Sequence, residues 1–216
     1  MKAMILAAGR GERMRPLTDN VPKPLLQVKG QALVVYHLKA LAAAGIQEVI
    51  INTWHLGDQL IDHLGDGRNF GLRLEYSVEP ELLDTGGGIV RALAFLKPDP
   101  FIVLSADILT DFPLLTLPQA PSVLAHLVMV DNPAYHTEGD FVLDKGVLKF
   151  NGGQKFTYAN IGVFRPEFFA NAPQGAFPLG GLLRQHIANG LVTAQYYAGV
   201  WNNVGSPADL ELVNNA

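Results

Sequence analysis

The chain has 216 residues, 49% hydrophobic and 17% charged, a length that buries a sizeable core in one domain. It contains no cysteine, which excludes disulfides, iron–sulfur clusters, thiolate zinc sites and cysteine nucleophiles. Sixteen Lys+Arg against twenty Asp+Glu leave a net charge of −4, so no broad electrostatic surface for nucleic acid is expected and an anionic ligand must meet a local cluster of positive charge.

The first apolar run, Lys2–Ala7, predicts a buried strand. It is too short for the core of a signal peptide, and Arg10, Arg13 and Arg15 follow it where such a signal would have them precede it. The apolar run from Ala32 to Ile46 is broken by His37 and Lys39 and is too short to cross a bilayer. No membrane association and a cytoplasmic location are therefore expected. A polar loop punctuated by Gly and Pro runs from Gly9 to Pro24, and helical spacing then covers Ala32–Ala44 up to Gly45. Strands are predicted at Glu48–Asn52, Leu72–Tyr76 and Phe101–Leu104, with a helix at Leu56–Leu64. The Gly-rich turn Thr85-Gly86-Gly87-Gly88 opens a further helix through Leu96.

This alternation argues for βαβ units and a mixed, mainly parallel sheet covered on both faces, an α/β fold. The second half reads as consecutive, partly antiparallel strands at Ser122–Val130, Phe141–Leu143, Val147–Phe150 and Tyr158–Phe164. Helices follow at Leu179–Asn189 and Pro207–Asn214. One domain over 1–216 is expected, with a nucleotide-binding half (1–110) and a half that closes on a second substrate (111–216).

The most informative segment is Leu6-Ala7-Ala8-Gly9-Arg10-Gly11-Glu12-Arg13-Met14-Arg15-Pro16-Leu17-Thr18, continuing to Pro22-Lys23-Pro24-Leu25. Met14 stands where a dinucleotide fingerprint needs its third glycine, and no Gly-Lys-Ser/Thr triplet marks a Walker A loop. Polyphosphate chemistry still fits. Small residues admit a ligand to the backbone, Arg13 offers a forked donor, and Lys23 offers a point charge between two stiffening prolines. The alternative is an ordinary surface loop with solvated arginines.

These residues resemble the signature of the sugar-1-phosphate nucleotidyltransferases: a strand ending Leu-Ala-Ala-Gly, then Gly-x-Gly-x-Arg-Met/Leu-x-Pro-Leu-Thr, then Pro-Lys-Pro-Leu. The resemblance implies a three-layer, Rossmann-like fold and transfer of a nucleotidyl group from a nucleoside triphosphate to a sugar 1-phosphate with Mg²⁺. It implies that Leu6, Ala8, Gly9, Gly11, Glu12, Arg13 and Lys23 serve the nucleotide, with Arg13 and Lys23 catalytic. Tyr36-His37-Leu38, Leu64-Gly65-Asp66-Gly67, Ala125-His126-Leu127-Val128 and Val130-Asp131-Asn132-Pro133 are similar to a short branch of the family that lacks a C-terminal β-helix. That branch implies UTP as donor and N-acetylmuramate α-1-phosphate as acceptor, in cell-wall recycling.

Three adjacent glycines at 86–88 are costly to order unless the backbone must approach something closely. The family resemblance makes this the base- and sugar-contacting turn, with Glu79, Thr85, Gly86 and Gly87 at the nucleotide. Asp107 follows a buried strand at its carboxyl end, the edge where α/β sheets hold ligands. The resemblance makes Asp107 a catalytic metal ligand, and Ser105 stands where the short branch has a substrate-binding Asn. Near the end, Trp201-Asn202-Asn203-Val204-Gly205-Ser206 places Asn203 where the family carries a second metal-binding Asp. Asn203 brings a carbonyl oxygen without charge, so a weaker Mg²⁺ site is expected, unless Asp111 or Asp209 substitutes. Asp140 and Asn160 are the sugar-side candidates. Trp201, Phe168 and Phe169 read as core, His37, His126 and His186 as packing or surface residues, and Ser206 as a helix cap. Two alternatives stay open: a guanylyl- or thymidylyltransferase acting on mannose or glucose 1-phosphate, and a weakly active nucleotide-sugar binding protein or regulatory subunit.

Overall fold

Successive residues of the first strand serve two different cores. Ala3 and Ile5 pack into one apolar cluster and Met4 into another. The same split separates Val49 and Ile51 from Ile50, and Ile102 and Leu104 from Phe101 and Val103. Strands buried on both faces need no polar alternation, which is why they read as continuous apolar runs.

The computed structural model describes residues 1–216. In chain order its elements are β1 (Lys2–Leu6), β2 (Gln27–Val28), β3 (Gln31–Ala32), α1 (Leu33–Ala43), β4 (Glu48–Thr53), α2 (Gly57–Leu64), β5 (Arg73–Val78), α3 (Asp84–Leu96), β6 (Phe101–Ser105) and β7 (Ile108–Thr110). The second half adds β8 (Ala125–Val130), β9 (Phe141–Asp144), β10 (Val147–Lys149), β11 (Lys155–Phe164), α4 (Leu179–Ala188), β12 (Val192–Tyr196), β13 (Trp201–Asn203) and α5 (Pro207–Asn215). Nine strands form one sheet in the order β5-β4-β1-β6-β11-β8-β12-β10-β9. The first four run parallel, and β11 reverses against both β6 and β8. Helices α1 and α2 cover one face, α3 and α4 the other, which gives the expected three-layer α/β architecture.

The structure departs from the sequence reading in five places. Strand β11 starts at Lys155, three residues early, and β8 starts at Ala125, three residues late. The glycines 86–88 lie inside the first turns of α3 instead of preceding it. Strand β12 was not expected, although its buried Val192 and Ala194 alternate with less buried residues as a strand's do. The three-residue pair β7–β13 is too short to show any periodicity.

Two backbone features shape the second half. Lys145 and Gly146, at φ 49 and 83, make the tight turn of the β9–β10 hairpin. In β11 the pairing with β8 shifts register between Tyr158 and Gly162, and Asn160 takes φ 56 there, so the strand bulges.

Candidate active site

Met14 is fully buried among Leu26, Val28, Leu33, Val204 and Val213, which ties the loop after β1 to the C-terminal segment. The turn Glu12–Met14 starts from Gly11 at φ 65, where an added Cβ would lie 2.9 Å from Thr18 Cγ2 and 3.2 Å from Lys23 Cβ. Glycine is needed there so that the loop can close on itself. Thr18, also buried, donates its hydroxyl to the Gly11 carbonyl at 2.8 Å.

The loop's four cations go different ways. The Arg10 guanidinium lies 4.8 Å from the Trp54 ring centroid, and Arg15 pairs with Asp19 at 3.3 Å. Arg13 lies against Gly205, where an added Cβ would be 3.2 Å from both terminal guanidinium nitrogens. Lys23 Nζ lies 2.7 Å from Asp107 Oδ2.

A cavity of about 360 Å³ opens at the carboxyl ends of β1, β4 and β6, lined in part by Leu6, Ala8, Gly9, Lys23, Glu79, Thr85, Ser105 and Asp107. Its inner wall is a relay of hydrogen bonds that sequence reasoning missed. Ala7 N–H donates to Asn52 Oδ1 at 2.8 Å, and Asn52 Nδ2 donates to Glu79 Oε1 at 2.7 Å. Leu83 N–H donates to the other Glu79 oxygen at 3.0 Å. Burial pushes the Glu79 carboxyl above its ordinary range, while the bonds from Asn52 and Leu83 oppose the shift. The available signal for Asn52 was its place as a polar residue closing an apolar strand.

Gly11 and Glu12 line neither large cavity, and Glu12 instead faces Arg10 at 3.7 Å on the surface. Gly86 and Gly87 also lie outside both linings, and the structure gives their glycine requirement another cause. Their N–H groups donate to the Phe177 carbonyl at 2.9 and 3.2 Å. A Cβ on Gly86 would fall 2.2 Å from Phe177 Cε2, and one on Gly87 2.3 Å from the Gly175 carbonyl oxygen. For Gly86 and Gly87 the close approach is to the segment 175–177. Thr85 joins the same contact, its hydroxyl accepting from Leu179 N–H at 2.9 Å. A Cβ on Gly88 would instead fall 2.7 Å from Glu79 Oε1 and 2.8 Å from Asn52 Nδ2, against the relay of the first cavity.

A second cavity, about 480 Å³, receives Arg13, Ser105, Asp140, Asn160 and Asn203 together with Tyr135, His136, Tyr158, Arg184 and Trp201. Asp140 is anchored on both sides: His136 Nε2 lies 3.1 Å from one oxygen, and Tyr158 N–H donates to the other at 2.8 Å. Trp201, expected in the core, is half-buried and lines this cavity, with its indole N–H donating to the Ala159 carbonyl at 3.0 Å. Phe168 and Phe169 are core residues, and Ser206 caps α5 by accepting from Asp209 N–H at 3.3 Å.

The β7–β13 ladder sets the prospective metal ligands side by side. Asn203 pairs with Ile108, and Val204 N–H donates to the Asp107 carbonyl at 2.8 Å. The two acids that could replace Asn203 are otherwise engaged. Asp209 accepts from Ser206 Oγ at 2.7 Å and Gly205 N–H at 3.1 Å, and Asp111 accepts from the Tyr197 hydroxyl and from Val200 N–H at 2.8 Å. Tyr135 reaches over this junction with its hydroxyl at Asn203; partial desolvation raises its pKa, the Asn203 hydrogen bond and Arg13 oppose the shift, and the charges of Asp209 and Asp107 add to it. No three His, Cys, Asp or Glu residues gather as a metal cage, and no helix is long and apolar enough to cross a membrane. A carboxylate and an amide oxygen are hard donors that fit Mg²⁺ held jointly with phosphates and water.

Residues 2–121 match the nucleotidyl transferase family. The N-acetylmuramate alpha-1-phosphate uridylyltransferase of Neisseria meningitidis is 44% identical, over 98% of this chain and 96% of its own length. The Caulobacter vibrioides protein of the same name is 31% identical over 95% and 92%. A mannose-1-phosphate guanyltransferase of Gibberella zeae is 39% identical, over 52% of this chain and 32% of its own. Among solved structures, the inositol-1-phosphate CTP transferase from T. maritima superimposes with a TM-score of 0.79 at 18% identity, covering 98% of this chain and 94% of the other. The chain belongs to the nucleotidyl transferase family, among its sugar-1-phosphate nucleotidyltransferases.

Proposed function

We propose that this chain transfers a uridylyl group from UTP to N-acetylmuramate α-1-phosphate, releasing pyrophosphate, with Mg²⁺ and in the cytoplasm. The observation that carries the choice of substrates is the similarity to the Neisseria uridylyltransferase along nearly the full length of both chains.

An oxygen of the sugar phosphate forms a bond to the α-phosphorus in line, as the bond from that phosphorus to the bridging oxygen of the departing pyrophosphate breaks. The attacking oxygen is already anionic at neutral pH, and the bridging oxygen departs as an anion stabilised in pyrophosphate, so neither a protein base nor a protein acid is required. The protein's work is positioning and charge neutralisation. Leu6, Ala8, Gly9 and Glu79 hold the nucleoside in the first cavity; Gly86 and Gly87 hold it indirectly, by seating the 175–177 segment behind Thr85. Lys23 neutralises phosphate oxygens from the first cavity and Arg13 from the second, with Gly11 and Glu12 shaping the loop between them. Ser105, Asp140 and Asn160 hold the sugar, Asp140 by accepting from hydroxyls. Asp107 and the Asn203 side-chain oxygen would hold Mg²⁺, which would supply Lewis-acid polarisation of the phosphates.

Pyrophosphate release over a panel of triphosphates and sugar 1-phosphates, with and without Mg²⁺, tests this reading. UTP with N-acetylmuramate α-1-phosphate is expected to give the highest kcat/KM. A clear preference for GTP or dTTP overturns the base assignment. No release with any pair favours a nucleotide-sugar binding protein, the reading that Asn203 motivates.

A further inference from the structure

Three Lys or Arg side chains line the two cavities, and they differ in what balances their charge. Lys23 has Asp107 at 2.7 Å, and Arg13 lies on Gly205 beside the proposed phosphate path. Arg184 is exposed and has neither a carboxylate nor a carbonyl partner in the chain. Its guanidinium carbon instead sits 5.6 Å from the ring centroid of Phe141 and 5.9 Å from that of Phe150. These rings meet edge to face with centroids 6.0 Å apart. Aromatic faces hold a guanidinium in place and leave its N–H donors free.

The space around Arg184 suits a ligand. Gly180 precedes it by one helical turn on the same face of α4, and nothing lies within 4 Å of where a Gly180 Cβ would be. Both residues line the second cavity, as does Phe141, which follows Asp140 in the chain. The proposed acceptor site therefore carries two opposite demands: Asp140 asks for hydroxyl donors, and Arg184 asks for an anion. A neutral sugar body satisfies the first alone.

We propose that Arg184 selects acceptors bearing a carboxylate in addition to the 1-phosphate, binding that carboxylate through its guanidinium fork. The assignment rests on the acceptor proposed above, because N-acetylmuramate differs from N-acetylglucosamine by a lactyl ether that ends in a carboxylate. Discrimination of this kind comes from a charge-assisted contact that one substrate makes and the other cannot.

The test compares kcat/KM for N-acetylmuramate α-1-phosphate and N-acetylglucosamine α-1-phosphate in the parent, Arg184→Gln and Arg184→Lys. Losing a hydrogen bond to a charged group is expected to lower the preference for the muramate about 10- to 100-fold in Arg184→Gln, through KM more than kcat. Arg184→Lys is expected to fall between, because it keeps the charge and loses the fork. An unchanged preference in Arg184→Gln overturns the proposal. If the parent does not turn over the muramate, the acceptor reading fails by itself. Arg184 is then judged by the same ratio with glucuronate 1-phosphate and glucose 1-phosphate, where an unchanged ratio again overturns it.

Discussion

Lys23 and Asp107, 84 residues apart in the chain, bring Nζ and Oδ2 to 2.7 Å at the mouth of the first cavity. One comes from the loop after β1 and the other from the end of β6, strands that are parallel neighbours with Leu6 opposite Ser105. The pair thus depends on sheet register, and each charge is held for a ligand by the other. Removing a charged donor from a phosphate contact costs about 2–4 kcal/mol by analogy with oxyanion donors. Lys23→Ala and Arg13→Ala should each lower turnover about 10²–10³-fold with an unchanged melting temperature. Turnover at the parent's rate in either variant counts against the assignment of that residue.

Asn203 invites a gain of function. Its amide gives a divalent ion less charge than a carboxylate would, so Asn203→Asp should lower the Mg²⁺ concentration needed for half-maximal rate, and Asp107→Asn should silence the enzyme. Because Asp209 is committed to Ser206 and Gly205, Asp209→Asn should weaken the start of α5 without moving the Mg²⁺ titration. A titration that shifts in Asp209→Asn and stays put in Asn203→Asp would assign the second ligand to Asp209.

The glycines of α3 can be separated by what they touch. Gly86→Ala drives a methyl into Phe177 and Gly87→Ala into the Gly175 carbonyl, so each should lose about 1–3 kcal/mol of stability from overpacking. Phe177→Ala makes room only for the first. In denaturant midpoints, Gly86→Ala with Phe177→Ala should be less destabilised than the sum of the single changes, and Gly87→Ala with Phe177→Ala should be additive. Additivity in both would mean that Phe177 is not the obstacle.

His37 should make stability depend on pH. Burial pushes its imidazole down to about 4, and Nε2 has no hydrogen-bond partner. From an ordinary value of 6.5 down to that value, the unfolded chain binds a proton that the native chain refuses. Stability therefore falls as pH is lowered through this window, by up to about 3 kcal/mol. His37→Leu should flatten the slope of unfolding free energy between pH 6.5 and 4. Parallel slopes for parent and variant would exclude His37 as the source.

The parallel strands and the loop from Leu6 to Leu25 were legible because their signals are local: doubly buried runs, small residues, and prolines around a lysine. Of the second cavity, Leu6, Arg13, Thr85, Ser105, Asp140, Asn160 and Asn203 were legible. Tyr135, His136 and Arg184 come from a loop and a helix whose residues carry no spacing signal and meet only through the sheet. Gly86 and Gly87 signalled a close approach correctly, yet nothing local could say that its object was the 175–177 segment, about 90 positions away. The β7–β13 ladder escaped notice for the same reason, since three residues of strand are defined by their partner.

Leu6, Thr85 and Ser105 belong to the walls of both cavities. The hollows are thus two ends of one trench, and a nucleotide sugar, longer than either substrate, would lie along its whole length. Such a molecule would be gripped from both ends at once, paying the loss of translational freedom only once where the separate substrates pay it twice. Holding two substrates along a shared wall therefore carries an expected kinetic liability: product release should be slow, and added nucleotide sugar should inhibit turnover.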